Sequence, residues 1–249
     1  MVRLMLGEDV ISTGIEEVDE LLGGGILRNG ILLIDYDKLS MGWHLGVRIF
    51  KNILQQDGYG IVFNATVPVT KLRLRAKYLW LDVDRMGREG RLSIVDIFGS
   101  KYGIPSREEY IYTIDDWKDE VALPKMGRIL KELTYKIKPM KGPVVSMFAT
   151  VEGAYHTLGK GLTHHIMLGT LKASSIAEEL DLNSFQILLL NRNAVDPMFE
   201  TFLTTISDQV IMVDRKREGN KWVESISVPK SLLPGFIPRM KEHVMKIER

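Results

Sequence analysis

The segment that follows the apolar run ILLI (31–34) carries residue types found in ligand-binding loops. It holds two carboxylates, Asp35 and Asp37, and a lysine, Lys38. Open α/β sheets bind their ligands in loops at the carboxyl ends of strands. A phosphate ligand would need glycine-rich backbone N–H groups, a lysine charge and a hydroxyl for Mg²⁺. The stretch 35–46 contains only two glycines, so its composition does not favour a phosphate site.

The two carboxylates add an electrostatic argument against a bound phosphate. A carboxylate about 4 Å from a phosphate oxygen costs about 4 kcal/mol at an effective dielectric constant near 20. Lys38 would offset part of that cost. We therefore interpret this loop as a site for something other than a nucleotide.

Three histidines and one glutamate form a second candidate constellation. Glu152 and His156 have the i, i+4 spacing of one helix face, which suits a metal ion. Two nearby glycines weaken that helix, and the adjacent His164 and His165 would point to different faces. We expect surface or loop histidines here and no metal site.

Basic residues are concentrated around Arg73 and Arg75, over 85–91, and at 215–217. A basic helix face can bind nucleic acid, but it can equally be the solvated side of a helix. The chain has 33 Lys+Arg against 32 Asp+Glu, a formal net charge of +1. This balance makes a nucleic-acid partner an unfavoured alternative, whose sign would be salt-dependent binding to single strands through Arg73 and Arg75.

Composition excludes several chemistries. The 249 residues include no Cys, which removes disulfides, thiolate metal sites and cysteine nucleophiles. No apolar run reaches the ~18 residues that suggest a membrane span, and the first residues do not read as a signal peptide. A cytoplasmic protein without a membrane partner is the expectation. The scarcity of Gln beside many charged residues is typical of thermophile proteins.

Six short apolar runs must form the scaffold that positions these residues. They are predicted to be buried parallel strands, because their apolarity is nearly continuous. They cover 31–34, 61–65, 92–97, 144–149, 185–190 and 210–213. Helical spacing falls between them, over 43–56, 69–80, 117–138 and about 171–180. The alternation predicts a doubly wound parallel sheet, and we interpret 1–249 as one domain.

The C-terminal part reads differently. Residues 210–228 are typical of two strands joined by a charged turn around Gly219 and Asn220, and a last strand is expected within 236–247. An antiparallel extension on a parallel sheet would fit this pattern. The region 99–116 is expected to be a loop-rich excursion.

The string ISTGIEEVDELLGGGILRNGILLI (11–34) resembles the start of KaiC-like domains of the RecA superfamily of P-loop ATPases. In physical terms, Ser12 or Thr13 is predicted to cap a short helix, and the glycine triplet allows a tight turn after it. The stretches 58–84 and 208–230 resemble the second strand with its helix and the C-terminal hairpin of the same family. The resemblance implies a RecA-like P-loop fold, with helices on both faces of a mostly parallel sheet and a C-terminal antiparallel hairpin.

The ATPase motifs of that family do not carry over to the loop. Where the resemblance implies G-x-x-x-x-G-K-[ST], the chain has YDKLSMGW. Tyr36 and Met41 stand where glycines belong, Gly42 replaces the lysine, and Trp43 replaces the hydroxyl residue. Trp43 is expected either to fill the nucleotide pocket or present an apolar anchor to a partner, or to pack in the core.

Two further landmarks of the family are absent, and one is retained in part. The family's acidic residues after the second strand are missing from NATVP (64–68). The stretch VVSMFATVEG (144–153) has Ser146 and Met147 near the position of the Asp that should end the Walker B strand, and Glu152 lies at the wrong offset although it could face the cleft. Lys230 matches a family lysine that can reach a neighbouring subunit's nucleotide, but a surface role is the alternative.

These observations lead to a functional prediction. The chain is expected to be a non-catalytic KaiC/RecA-like pseudo-ATPase that binds a protein or peptide, alone, as a homo-oligomer or with active KaiC/RecA-like subunits. The candidate contacts are the loop residues Asp35, Tyr36, Asp37, Lys38, Met41, Gly42 and Trp43, with Lys230 at a subunit boundary. No cofactor is expected. The alternatives are an ATP-binding ATPase with an atypical loop, which would use ATP or ADP and Mg²⁺, and a DNA-associated recombinase paralogue.

Overall fold

The computed structural model describes residues 9–140 and 142–246. The strands are β1 (Val10–Ile11), β2 (Ile26–Leu27), β3 (Ile31–Tyr36), β4 (Tyr59–Asn64), β5 (Leu92–Asp96), β6 (Ile111–Tyr112), β7 (Val144–Phe148), β8 (Ser184–Asn191), β9 (Gln209–Glu218), β10 (Lys221–Ser231) and β11 (Arg239–Lys246). The helices are α1 (Glu16–Leu22), α2 (Gly42–Gln55), α3 (Val69–Tyr78), α4 (Val83–Arg88), α5 (Ile97–Tyr102), α6 (Asp119–Ile137), α7 (Val151–Leu158), α8 (Lys160–Glu179) and α9 (Pro197–Ile206). A short 3₁₀ turn follows β8 at Arg192–Ala194.

The strands build one nine-stranded sheet in the order β11-β10-β9-β3-β8-β7-β4-β5-β6, beside a small β1–β2 pair. All neighbours from β9 to β6 run parallel. The last two strands, β10 and β11, are added antiparallel. The predicted fold class is therefore confirmed: a mostly parallel α/β sheet with a C-terminal antiparallel hairpin.

Strand β3 lies inside the sheet, and all six of its residues are buried. Successive side chains of β3 point to opposite faces of the sheet, as in any pleated strand. Leu32 and Ile34 belong to one core cluster, which also contains Phe50 of α2. Ile31 and Leu33 belong to the other. Burial on both faces explains why the run is apolar without alternation.

Helix α2 packs closely on the sheet at Gly46. A Cβ at this position would lie 2.3 Å from Cδ2 of Leu189 on β8. The close approach holds the first turn of α2, and the loop before it, against the ends of β3 and β8.

Two local predictions need correction. Neither Ser12 nor Thr13 caps α1, because the residue before the helix is Ile15 and makes no side-chain cap. Instead Asp19 reaches back and accepts hydrogen bonds from the Ser12 hydroxyl (2.6 Å) and the Thr13 N–H (2.8 Å). The region 99–116 is also more regular than expected, since it contains most of α5 and the edge strand β6.

In the part of the chain that the structure describes, no helix combines the length and apolarity needed to cross a bilayer.

Candidate functional site

The loop of residues 37–41 joins the end of β3 to the start of α2 at the carboxyl edge of the parallel sheet. Strands β8 and β9 flank β3, so the loop lies between the segments that follow them. The N–H of Asp37 donates to the carbonyl of Val213 on β9 (3.0 Å). The N–H of Lys38 donates to Oδ1 of Asn193, after β8 (2.9 Å). Both neighbours thereby fix the loop.

The next backbone N–H groups are satisfied by the side chain of Asp37. Its Oδ1 accepts from the N–H of Leu39 and from the N–H of Ser40, each at 2.7 Å. Its Oδ2 accepts from the N–H of Arg215 on β9 at 2.7 Å. This carboxylate thus occupies the centre of the loop, where it gathers three backbone donors.

The first turn of α2 meets another carboxylate. The N–H of Met41 donates to Oε2 of Glu224 on β10 at 3.1 Å. Arg215 pairs with the same oxygen through Nη2 (2.8 Å) and Nε (3.0 Å). The N–H of Gly42 is 3.4 Å from Oγ of Ser40. Every backbone N–H from 37 to 42 therefore faces an acceptor supplied by the chain itself.

Tyr36 fills the space under this loop. Its side chain is buried, and a Cβ on Gly42 would lie 2.4 Å from the Tyr36 Cβ. The Tyr36 hydroxyl donates to Oε1 of Glu152 (3.2 Å), and the N–H of Asn191 donates to Oε2 (3.1 Å). Burial raises the pKa of both the Tyr36 phenol and the Glu152 carboxyl. Glu152, which the sequence placed at the wrong offset for a Walker B carboxylate, thus lies beside β3.

Asp35 is held by an ion pair that sequence reasoning missed. Its carboxylate is 2% exposed and lies 2.9 Å from Nε of Arg192, which also donates to the Asp35 carbonyl. Nη1 of Arg192 contacts Asp214 of β9 at 2.5 Å. Burial outweighs the attraction of Arg192 and raises the pKa of Asp35 to about 6. The only signal in the sequence was a basic residue directly after the apolar strand FQILLLN.

The predicted loop residues divide into buried and accessible sets. Asp35, Tyr36 and Gly42 are buried, so they support the loop from below. Lys38 is exposed, and Asp37, Met41 and Trp43 are partly exposed. The Trp43 ring packs against the core on one side and edge-on against His44, with centroids 3.9 Å apart. The interpretation of Trp43 as a residue that packs on the core therefore has direct contacts in its favour.

Comparisons with known proteins identify this arrangement of strands. No family model matches the chain, and no curated protein matches it. Among solved structures, an uncharacterized protein from Pyrococcus horikoshii, in complex with an unknown peptide, superposes with a TM-score of 0.75 at 19% identity, covering 94% of this chain and 99% of that one. A KaiC-like protein from P. horikoshii OT3 superposes with a TM-score of 0.67 at 16% identity, covering 96% and 95%. The chain has a KaiC-like RecA fold.

Lys230 on β10 makes contacts within its own chain. Its Nζ donates to the carbonyls of Thr204 (2.8 Å) and Thr205 (3.2 Å), at the end of α9. A cation at this position satisfies free carbonyls and favours the negative end of the helix dipole. Lys230 therefore caps the end of α9. It would have to give up these contacts in order to reach a neighbouring subunit.

Several cations of the basic stretches are paired with acidic groups. Arg73 contacts Asp84 (2.7 Å) and Glu108 (3.7 Å). On β9, Arg215 pairs with Glu224 of β10, and Lys216 pairs with Glu218 at 2.9 Å. These three cations are compensated, which weakens the case for a phosphate backbone as their partner.

The three histidines of the candidate metal site contact different groups. His156 contacts the carbonyl of Ala194 at 2.7 Å, and His165 contacts that of Gly161 at 2.9 Å. The ring of His164 packs edge-on against Phe202. Across residues 9–140 and 142–246, no three His, Asp or Glu side chains come together in a way that suits a metal ion.

Proposed function

We propose that this protein is a non-catalytic relative of KaiC/RecA-like ATPases that acts in the cytoplasm by binding a protein or peptide. One observation carries the proposal: the backbone donors of the loop 37–42 already bond to acceptors of the chain. In a phosphate-binding loop the same donors point at the ligand.

The acceptors also have the wrong charge for a nucleotide. A phosphate that approached Leu39 and Ser40 would have to displace the carboxylate of Asp37, and at Met41 it would have to displace that of Glu224. Displacement would cost the existing hydrogen bonds and leave like charges close together. This argument supports the absence of a bound cofactor and stands against the alternative of an ATPase with an atypical loop.

A peptide partner is supported by the accessible part of the loop. Lys38 is exposed, Leu39 is 49% exposed, and Met41 and Trp43 are partly exposed. One charge beside apolar side chains is a composition suited to a peptide. The superposable P. horikoshii protein was solved with an unknown peptide, which is consistent with such a role for this chain. Oligomers of this chain, or mixed assemblies with active KaiC/RecA-like subunits, belong to the same proposal.

Isothermal titration with ATP and with ADP, each with and without Mg²⁺, tests the non-catalytic part. We expect no Mg²⁺-dependent heat at millimolar nucleotide, whereas a catalytic KaiC-like protein under the same conditions provides the positive control. Micromolar binding that requires Mg²⁺ would contradict the proposal and favour the ATPase alternative. Salt-dependent binding of single-stranded DNA that is lost in R73Q/R75Q would favour the recombinase alternative.

Selection from a random peptide display library tests the binding part. The enriched peptides should bind the wild type and lose about tenfold in affinity for the variants Lys38→Ala and Leu39→Ala, since each truncates one accessible contact. Tyr135→Ala on α6 is the matched control, because Tyr135 is 68% exposed and its helix packs in the other core cluster. Equal losses in all three variants would contradict a site at the loop.

A further inference from the structure

A separate cavity of about 310 Å³ lies between α2, the end of α3 and the α4 region. None of the loop residues 37–41 lines it. Its apolar wall consists of Leu54, Leu81 and Met86. The volume corresponds to the lower end of the range for small-ligand sites.

Positive charge dominates the lining. Lys51, Arg85 and Arg91 contribute three cations, against the one carboxylate of Asp82. Asp82 is engaged, since its Oδ1 accepts from the N–H of Arg85 at 3.0 Å and caps α4. The Arg85 side chain has an exposed partner in Glu89 at 3.3 Å.

The strongest indication of an anion site comes from Arg91. Its Nη2 atom is buried and has no hydrogen-bond acceptor among the residues that the structure describes. A buried guanidinium nitrogen without an acceptor is unfavourable, because it has lost water and gained nothing in exchange. Arg91 also lines the cavity, so an anion bound there would lie close to this uncompensated charge.

Trp80 stands at the edge of the cavity in an unusual backbone conformation. It follows α3 with φ +59°, and its N–H donates to the carbonyl of Lys77 while that of Leu81 donates to Ala76. These two bonds define a Schellman turn, whose left-handed position normally holds Gly. Trp80 is also 85% exposed. A side chain that strains the backbone and gains little burial is a candidate for ligand contact.

We propose that this cavity binds an organic anion that carries a flat ring, with the anionic group toward Arg91, Lys51 and Arg85 and the ring against Trp80. The charge of the lining selects the anion, and the exposed indole offers a stacking face. The C-terminal carboxylate of a peptide that ends in an aromatic residue and the phosphate of a nucleotide share this chemistry. The site does not depend on the proposed function of the loop 37–42, because the two have no residue in common.

Calorimetric or NMR titrations distinguish the two sources. N-acetyl-phenylalanine is compared with its amide, and AMP is compared with adenosine. For at least one of these two pairs of compounds, we expect the anion to bind. Its neutral analogue should bind about tenfold or more weakly, as expected for the loss of one ion pair. Binding of the acid identifies a carboxylate source, and binding of AMP alone identifies a phosphate source. Binding of neither anion, or equal binding of anion and neutral analogue, overturns the proposal.

The variant Trp80→Gly tests the stacking face without endangering the fold. Glycine is the residue that the turn favours, so the melting temperature should equal or exceed that of the wild type. Affinity for the anion should fall about tenfold with the loss of the ring. Tyr78→Ala, which removes an exposed ring at the end of α3 that does not line the cavity, should leave affinity unchanged. A Trp80→Gly protein that keeps full affinity would overturn the proposal.

Discussion

Oε2 of Glu224 lies 3.1 Å from the backbone nitrogen of Met41, so a carboxylate from the C-terminal hairpin meets the start of α2. Acidic side chains are favourable at this end of a helix, because its free N–H groups carry partial positive charge. In P-loop NTPases the N-terminus of the helix after the glycine-rich loop binds a phosphate. In this protein the group that accepts a hydrogen bond at the start of the helix is a side chain of the same chain, Glu224.

Glu224→Ala should destabilise the protein by about 2 kcal/mol, because it removes the partner of both the Met41 N–H and the Arg215 guanidinium. The Glu224 and Arg215 side chains are only 17% and 18% exposed, so water replaces the lost contacts poorly. Urea denaturation measures the loss. The control is Glu218→Ala, which breaks the exposed pair with Lys216 and should change stability by less than about 0.5 kcal/mol. Equal effects of the two variants would contradict the assignment.

The stability of the protein should fall between pH 4 and pH 7 through Asp35. Its pKa is about 6 in the folded protein and near 3.8 in the unfolded chain, so the folded state holds the proton over this range and the unfolded state does not. The resulting contribution is fully present below pH 3.8 and is lost as the pH rises through 6. The full shift corresponds to at most about 3 kcal/mol.

Asp35→Asn isolates this contribution, because asparagine is of similar size and does not titrate. The difference in unfolding free energy between the wild type and Asp35→Asn is measured by urea denaturation at several pH values. We expect the wild type to lose stability relative to the variant as the pH rises. A difference that stays constant, or that grows in favour of the wild type, would show that Asp35 remains ionised throughout.

Gly42→Ala should destabilise the protein by about 1–3 kcal/mol, since the added methyl group would overlap Tyr36. Gly169→Ala on α8 provides a matched control. No atom lies within 4 Å of the Cβ that it would gain, and alanine is the better helix former by about 1 kcal/mol. The two substitutions are chemically identical and should shift the melting temperature in opposite directions. A neutral Gly42→Ala would mean that Tyr36 can move away from the loop.

The sheet was predictable because its signal is local. Runs such as ILLI and FQILLL are apolar without interruption, and burial on both faces of a parallel sheet demands that pattern. The hairpin of β9 and β10 around Gly219 was equally predictable, because a charged turn lies between two apolar strands. The capping of α1 was not, because the Asp19 side chain reaches back to residues that the sequence itself suggested as caps.

The candidate site was predictable only in part. The departures from a phosphate loop at Tyr36, Gly42 and Trp43 can be read from the chain directly. The acceptor of the Met41 N–H comes from β10, and the cation that holds Asp35 follows β8, more than 150 residues away. A single sequence gives the types of these residues without their partners, because tertiary contacts alone bring them together.

The place of β3 in the sheet also constrains how the chain acquires its structure. This strand is made early, yet both of its neighbours, β8 and β9, come from the last third of the sequence. Until residues 184–213 have left the ribosome, ILLI has no strand on either edge. The loop after it has neither Asn193 nor Glu224 as an acceptor. The central part of the sheet can therefore fold only after distant parts of the chain have come into contact. Such a topology is typical of slow folding, and the exposed strand edges of the unfinished chain need protection from aggregation during synthesis.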